Sequence, residues 1–133
     1  MTYDEARAAI ESLFATGWTE TPVAYRNVDF TPPGTRHPWV MLSVEPRETV
    51  QASFGGAVRR FRCTGVARLD IRVPRGAGTA AAFRLADGAA ALFASAAVRG
   101  LVFEAAGTLP GSEDDEVYFS LPVEVPFWHD DFW

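Results

Sequence analysis

A glycine-rich turn between an apolar strand and a helix is the first stretch of the chain whose residue types could do chemistry. The turn, Gly76–Thr79, follows a segment that ends at Pro74. A Walker-type phosphate loop needs a lysine and then serine or threonine after its second glycine, and the chain has no lysine. A dinucleotide fingerprint needs a third glycine where Ala81 stands. We therefore predict a hinge with glycines at positive φ and Thr79 as helix cap, and keep a bare anion site at the helix start as the alternative.

Two histidines and one cysteine are the remaining candidates for metal binding or nucleophilic catalysis. A metal site would require His37 and His129 to meet with Asp130 and Asp131, and nothing in their spacing requires this. We expect both histidines to be exposed to solvent. Cys63 could form a nucleophile with a histidine, but it lies on the apolar face of a predicted strand, where a buried and unreactive thiol is expected. The sequence therefore predicts no enzyme, no metal and no bound cofactor.

Four arginines on one face of a predicted strand form a less ordinary pattern. Residues 60–73 alternate between apolar and polar side chains, as in a strand with one buried face. The apolar face carries Phe61, Cys63, Gly65, Ala67, Leu69, Ile71 and Val73. The other face carries Arg60, Arg62, Thr64, Arg68, Asp70 and Arg72, interrupted by Val66. Because like charges on one sheet face repel unless carboxylates lie close, this face is an open solvated surface, a subunit interface or a basic channel wall.

An acidic segment and an aromatic segment complete the candidate contact residues. The acidic segment consists of Glu113, Asp114, Asp115 and Glu116. It is either a solvated hairpin tip or a docking knob for arginines of a neighbouring subunit. The last seven residues contain four large aromatic side chains, Phe127, Trp128, Phe132 and Trp133. They either fold back on the domain or dock on another chain, and we favour docking because Trp and Phe are common interface anchors.

The elements that must position these residues follow from capping and periodicity. Thr2 and Glu5 form a capping box that predicts a helix over residues 3–15, and a second helix is predicted over 80–98. Strands are predicted over residues 22–27, 39–46, 49–54, 60–73, 101–107 and 117–125, with a proline-rich loop over 28–38. The second helix should bury Phe83, Leu85, Ala89, Leu92 and Phe93. Strands grouped in hairpins, with helices at separate points, indicate an α+β fold.

Composition and charge limit the function classes. The 133 residues indicate a single domain over 1–133, and 48% hydrophobic residues are typical of a globular protein. The net charge of -5 argues against wrapping of nucleic acid by the whole surface. No apolar run reaches the roughly 18 residues that a membrane helix needs, and the N-terminus does not look like a secretory signal. We expect synthesis in the cytoplasm and no membrane partner.

Scattered residues over about 23–131 carry a family resemblance. They are Tyr25, Arg26, Asn27, Phe30, Pro33, Trp39, Val40, Leu42, Ser43, Val44, Gln51, Ala52, Ser53, Gly55, Ile71–Pro74, Gly76, Gly78, Ala86, Asp87, Val125, Pro126, Phe127, Asp130 and Asp131. In this order the chain resembles a family of small phage and prophage proteins that look like relatives of the tail terminators of lambda-like long-tailed phages. The first helix and the acidic segment add nothing distinctive to the resemblance.

The resemblance implies a structural virion protein with no catalytic residues. It implies a mixed, mostly antiparallel sheet with two helices packed against it. It further implies a hexameric ring that caps the head-proximal end of the tail tube, in the virion tail or neck, after synthesis in the bacterial host. The implied partners are further copies of the chain, the tail tube protein and a head-neck connector or stopper protein, and DNA would pass through the ring without specific binding. The alternatives are another neck or tail-completion protein, or a small α+β enzyme or ligand-binding domain.

Overall fold

Each of two helices is followed by three strands in a computed structural model, which describes residues 1–34 and 36–133. The helices are α1 (Tyr3–Gly17) and α2 (Ala80–Ala94). The strands are β1 (Val23–Tyr25), β2 (Trp39–Gln51), β3 (Arg60–Pro74), β4 (Leu101–Phe103), β5 (Gly107–Thr108) and β6 (Tyr118–Phe132). Neither α1 nor α2 has the length and hydropathy that crossing a membrane requires.

One mixed sheet contains these strands. Its order is β1-β2-β3-β6-β4, with β5 also paired to β6. β1 runs parallel to β2, and the other pairs are antiparallel. β3 and β6 lie side by side along their whole length, from Arg60 opposite Phe132 to Pro74 opposite Tyr118. The predicted α+β fold, with a mixed and mostly antiparallel sheet and two helices, is confirmed.

Both helices pack on one face of this sheet. Ala6, Ile10 and Phe14 of α1 and Ala82, Ala86, Ala89 and Phe93 of α2 share one core with the inward side chains of the strands. Those inward side chains are Val40, Leu42, Ala67, Leu69, Ile71, Val73, Leu101, Leu121, Val123, Val125 and Phe127. The period-two alternation of β3 and β6 therefore separates an apolar helix-covered face from a polar one.

The opposite face of the sheet, here called the open face, faces away from both helices. On β3 it carries the four arginines of the predicted polar face, together with Thr64, Val66 and Asp70. Their register partners on β6 are Ser120, Pro122, Glu124, Pro126, Trp128, Asp130 and Phe132. The open face is therefore mostly polar, with a few apolar side chains between the charges.

α1 begins as the sequence predicts. The Thr2 hydroxyl accepts a hydrogen bond from the Glu5 amide at 3.1 Å, and the Glu5 carboxylate accepts one from the Thr2 amide at 3.2 Å. The helix continues past its predicted end at Ala15 and includes Gly17. A Cβ at Gly17 would lie 2.5 Å from Leu92 Cδ1, so glycine allows α1 and α2 to approach closely at this point.

α2 begins at Ala80 as predicted but departs from its prediction in its cap, its C-terminal end and its buried face. It ends at Ala94 rather than at residue 98, and Thr79 makes no side-chain cap hydrogen bond. Phe83 is 49% exposed, whereas the neighbouring Ala82 is fully buried. Successive helical residues are rotated by about 100°, so a helix that rests on the sheet through small alanines turns Phe83 outward. Ala89 and Phe93 are buried as predicted, and Leu85 and Leu92 pack at the edge of the core.

One continuous strand replaces the two strands predicted over 39–46 and 49–54. Pro46 does not end β2. Proline is tolerated on edge strands and at bulges, and Pro46 lies on an edge and beside a bulge. β1 covers β2 only from Val40 to Leu42, which leaves the outer side of the later residues free. The register with β3 shifts between Pro46 and Thr49.

The last strand is longer than the predicted 117–125 because the aromatic segment continues it to Phe132. Two prolines lie within β6 without breaking it. The carbonyls of Pro122 and Pro126 accept hydrogen bonds from Leu109 at 2.9 Å and Glu104 at 2.8 Å, on the side away from β3. In an antiparallel strand the nitrogen and carbonyl of one residue point to the same side, so the proline nitrogens also face away from β3. The two prolines therefore remove no backbone N–H donor from the pairing of β6 with β3.

Candidate functional site

The glycine-rich turn has the geometry of a hinge. Gly76 and Gly78 have φ angles of 87° and 81°, the left-handed conformations that the sequence predicts for them. A cleft of about 230 Å³ opens beside the turn, and both Arg75 and Glu113 line it. The cleft thus carries one cation and one carboxylate, so its charge does not favour an anion, and the left-handed glycines support the hinge.

His129 is fully buried, so the prediction that both histidines are exposed is wrong for this residue. It lies on the helix-covered face of β6, two residues after Phe127. Its Nδ1 lies 2.9 Å from the Met1 carbonyl oxygen, and its ring meets that of Tyr3 edge-on at 5.1 Å between centroids. Burial is the main cause that lowers the pKa of His129 below its usual value. The neutral ring with a proton on Nδ1, donated to Met1, fits these surroundings.

The two histidines do not form a site together. His37 is exposed and precedes β2, whose first residue Trp39 pairs with Arg72, whereas His129 is the register partner of Cys63 toward the other end of β3. Within residues 1–34 and 36–133, no three His, Cys, Asp or Glu side chains gather closely enough to hold a metal ion. Cys63 is buried, as predicted, with the Thr49 hydroxyl 3.8 Å from its sulfur.

Arg62 contacts both a carboxylate and an aromatic ring on the open face. Its Nε and Nη2 donate to the two carboxylate oxygens of Asp130 at 3.0 and 3.2 Å. Its guanidinium also lies 3.8 Å from the centre of the Trp128 ring. The hydrogen bond from Arg62 lowers the pKa of Asp130, and the pKa of Arg62 is raised by the same contact. Arg60 reaches the same carboxylate at 4.0 Å.

Arg68 is also paired within the chain. It lies 3.1 Å from Asp70 on its own strand and 3.5 Å from Glu124 on β6. The hydrogen bond to Asp70 is the main cause that raises the pKa of Arg68. Arg72 instead lies over the Trp39 ring at 5.5 Å, and its buried Nε has no hydrogen-bond partner among the described residues. Carboxylates of the same chain thus relieve the repulsion at three of the four arginines.

The segment 110–117, here called the acidic loop, is exposed and locally ordered. Asp115 accepts hydrogen bonds from the amides of Val117 and Tyr118 at 2.7 and 2.9 Å, and these lower its pKa. Glu113, Asp114 and Glu116 are exposed. Because β6 begins at Tyr118, opposite Pro74, the acidic loop lies at one end of the β3–β6 pair and Arg60 at the other.

The aromatic segment divides between the two faces of the sheet. Phe127 is 2% exposed and belongs to the core, so its assignment as a docking residue is wrong. The alternation along β6 points it toward the helices. Trp128 lies on the open face beneath Arg62. Phe132 and Trp133 are exposed, and the Trp133 backbone exchanges hydrogen bonds with Arg59 at 2.7 and 3.0 Å.

A further apolar surface escaped the sequence interpretation. The β2–β3 hairpin over residues 47–60, together with Phe132 and Trp133, is here called the hairpin end. Its connection exposes Phe54 to 87% and Val58 to 62%. The signal was present in the sequence, because a phenylalanine directly before the turn glycines Gly55 and Gly56 cannot easily reach a core.

Comparisons with known proteins relate most of the chain to a phage tail family. A family model described as "Phage tail terminator protein" matches residues 5–127. A solved structure with 24% sequence identity has a TM-score of 0.64, covering 100% of this chain and 98% of the other, and shows that the same fold occurs there. The comparison with curated proteins gives no match.

Proposed function

The chain belongs to the phage tail terminator family, and from this premise we propose that its copies form a ring, with six as the expected number, that caps the head-proximal end of a tail tube. The family gives the chain a structural role in the phage tail. Capping the tube and offering a surface to the filled head are the finer steps of the proposal. The match over residues 5–127 of the 133-residue chain is the observation that carries it.

A closed ring requires two different surfaces on each copy, one for each neighbour. The acidic loop and the arginines at the opposite end of β3 are two such surfaces with opposite charge. Arg62 and Arg68 already have carboxylate partners in their own chain. We therefore propose that Arg60, which lies at the end opposite the acidic loop and whose contact with Asp130 is longer, at 4.0 Å, contributes more to contacts between copies than Arg62 and Arg68 do. Arg72 instead lies at the acidic-loop end.

The same surfaces are compatible with passage of DNA without specific binding. Asp70, Glu124 and Asp130 offset much of the positive charge of the open face. Salt bridges within the chain leave fewer free cations to bind phosphates, and phosphate binding depends on free cations. A catalytic role is not part of the proposal, because the family is structural and the one buried histidine lies away from any polar cleft that we describe.

An early stop codon in the gene of the intact phage tests the proposed cap. If the protein ends tube growth, electron micrographs of lysates should show tails longer than the normal length. Tails of normal length that carry no heads would contradict capping and would indicate a neck or tail-completion role instead. Expression of the wild-type chain from a plasmid is the control and should restore both tail length and infectivity.

Native mass spectrometry of the purified protein tests the ring itself. We expect a species of six copies, in exchange with smaller species on dilution. Added to tail tubes of the same phage, the protein should appear as extra density at one tube end. Binding of a small metabolite to a stable monomer that leaves tubes unchanged would contradict the proposal.

A further inference from the structure

The hairpin end concentrates the exposed apolar surface of the molecule. In the described part of the chain, ten large apolar side chains are exposed, and five of them, Val50, Phe54, Val58, Phe132 and Trp133, lie at this end. Large exposed apolar patches on otherwise polar proteins mark interaction sites. This clustering calls for a partner that covers the hairpin end.

Hydrogen bonds hold the hairpin connection in the conformation that exposes these side chains. The Ala52 amide donates to the Arg60 carbonyl at 2.7 Å, and the Arg60 amide donates to the Ser53 hydroxyl at 2.9 Å. The Arg59 backbone is paired with that of Trp133. The apolar side chains are therefore presented on an ordered segment, which lowers the entropic cost of docking.

Strand addition is a poor explanation for this end of the sheet. The free outer side of β2 contains Pro46, a register shift, and the charged Arg47 and Glu48. Prolines, bulges and charges on an edge strand are features that oppose pairing with another strand. The partner should therefore contact side chains of the hairpin end rather than extend the sheet.

The charges of the hairpin end indicate which partner this is. Arg47, Arg59 and Arg60 are exposed there against a single acid in the same segment, Glu48. The acidic loop at the other end of the sheet carries four acidic residues, which outnumber Arg75, whose Nη1 lies 3.4 Å from the Asp115 carbonyl oxygen. Leu109 and Val117 beside the loop are exposed apolar side chains. One end of the chain thus complements the other in charge and in apolar character, although one chain cannot bring them together. β3 has 15 residues, so about 50 Å separates the two ends.

We propose that the hairpin end of one copy docks on the acidic-loop end of the next copy, with Phe54 and Val58 as the apolar anchors. The inference rests on the proposed ring and names the segments that form its subunit contact. A head-to-tail contact between unlike surfaces is what a closed ring requires. Apolar anchors surrounded by complementary charge are typical of such interfaces.

The anchors are tested by the double variant Phe54→Asp/Val58→Asp, with Phe83→Asp as the matched control. Phe83 is also an exposed phenylalanine, but it lies on α2. The anchor variant should weaken assembly about tenfold or more in sedimentation equilibrium, as expected for interface anchors. The control variant should assemble as the wild type does, and both should keep the wild-type circular dichroism spectrum. Unchanged assembly of the anchor variant would overturn the proposal.

Charge reversal tests which surface receives the hairpin end. Arg59→Glu/Arg60→Glu and Asp114→Arg/Glu116→Arg should each weaken assembly, because each leaves like charges facing each other. The chain that carries all four changes should recover assembly, since each contact is then complementary again. Failure of the fourfold variant to recover, while it remains folded, would overturn the proposed pairing of the two ends.

A covalent test separates this inference from the proposed function. The variant Ala57→Cys/Glu113→Cys, at exposed positions beside the anchors and in the acidic loop, should form a ladder of disulfide-linked oligomers on mild oxidation, and each single variant should give dimers at most. The native Cys63 is buried and serves as the unreactive background. Tubes that are capped by a protein which forms no such ladder would overturn the hairpin contact and leave the capping function standing. A ladder together with uncapped tubes would support the hairpin contact and overturn the capping function.

Discussion

Phe127 and Trp128 are neighbours on β6, yet they lie in different environments. Phe127 points to the helices and is almost fully buried, whereas Trp128 lies on the open face under the Arg62 guanidinium. The same division runs along the whole β3–β6 pair. One face is stabilised by apolar packing with α1 and α2, and the other by ion pairs across the strands. The comparison shows that side-chain direction, more than residue type, separates core from surface in this aromatic segment.

Separate replacement of Phe127 and Trp128 by alanine should give the largest difference in unfolding free energy between the two faces. Phe127→Ala removes a buried ring and should lower the free energy of unfolding by about 3–5 kcal/mol, as for other buried phenylalanines. Trp128→Ala should cost clearly less, because its ring is only half-buried. Urea denaturation followed by circular dichroism measures both values. Equal losses would contradict the division into a packed face and an open face.

Gly65 lies against the Phe127 ring, and its replacement tests how tightly the helix-covered face is packed. A Cβ at Gly65 would collide with the Phe127 ring and lie 2.8 Å from the Glu45 carbonyl oxygen. Gly65→Ala should therefore destabilise the fold by about 1–3 kcal/mol, the usual cost of overpacking. Gly107→Ala is the matched control, because a Cβ there meets nothing within 4 Å. Similar unfolding free energies for the two variants would show that the Phe127 ring moves aside without cost.

The alternation of β6 contained more information than its aromatic composition. Leu121, Val123 and Val125 lie on the helix-covered face of β6, and the same period of two continues to Phe127 and His129. Aromatic density at the chain end suggested a docking segment, and that interpretation missed both buried residues. Periodicity should have outweighed composition here, because a residue's face in a strand depends on its position.

Other features could not be obtained from local patterns. The long β2 depends on the absence of a neighbour beside Pro46, and a strand's neighbours are set by the tertiary fold. The partners of Arg62 and Arg68 also depend on the register of β3 against β6. The sequence predicted that carboxylates must approach these arginines, but not whether they would come from an adjacent strand or from another subunit.

The buried histidine gives the helix-covered face a pH dependence that the open face lacks in the same range. The folded state holds the pKa of His129 below its unfolded value of about 6.5. The unfolded state then binds more protons, so stability is full above about pH 6.5 and falls as pH decreases toward the folded pKa. The slope from this one proton cannot exceed about 1.4 kcal/mol per pH unit.

Urea denaturation between pH 7.5 and pH 5 measures this slope. His129→Gln should remove most of it, whereas His37→Gln should leave it unchanged, because His37 is exposed. A slope that disappears with His37→Gln instead would contradict the assignment to the buried ring.

The smallest effect should come from the ion pairs of the open face. Arg68 lies 3.5 Å from Glu124, and both side chains remain partly exposed. A double-mutant cycle with Arg68→Gln and Glu124→Gln should give a coupling of about 0–1 kcal/mol, because water and side-chain entropy offset most of the attraction. The coupling should shrink between low and about 1 M salt, where screening acts within a few ångströms. Asp70 holds Arg68 at 3.1 Å in every variant that retains it, so the arginine stays in place when Glu124 is replaced. A salt-independent coupling of more than about 2 kcal/mol would mean that water is excluded from this face already in the single chain, and the contrast between the two faces would then be lost.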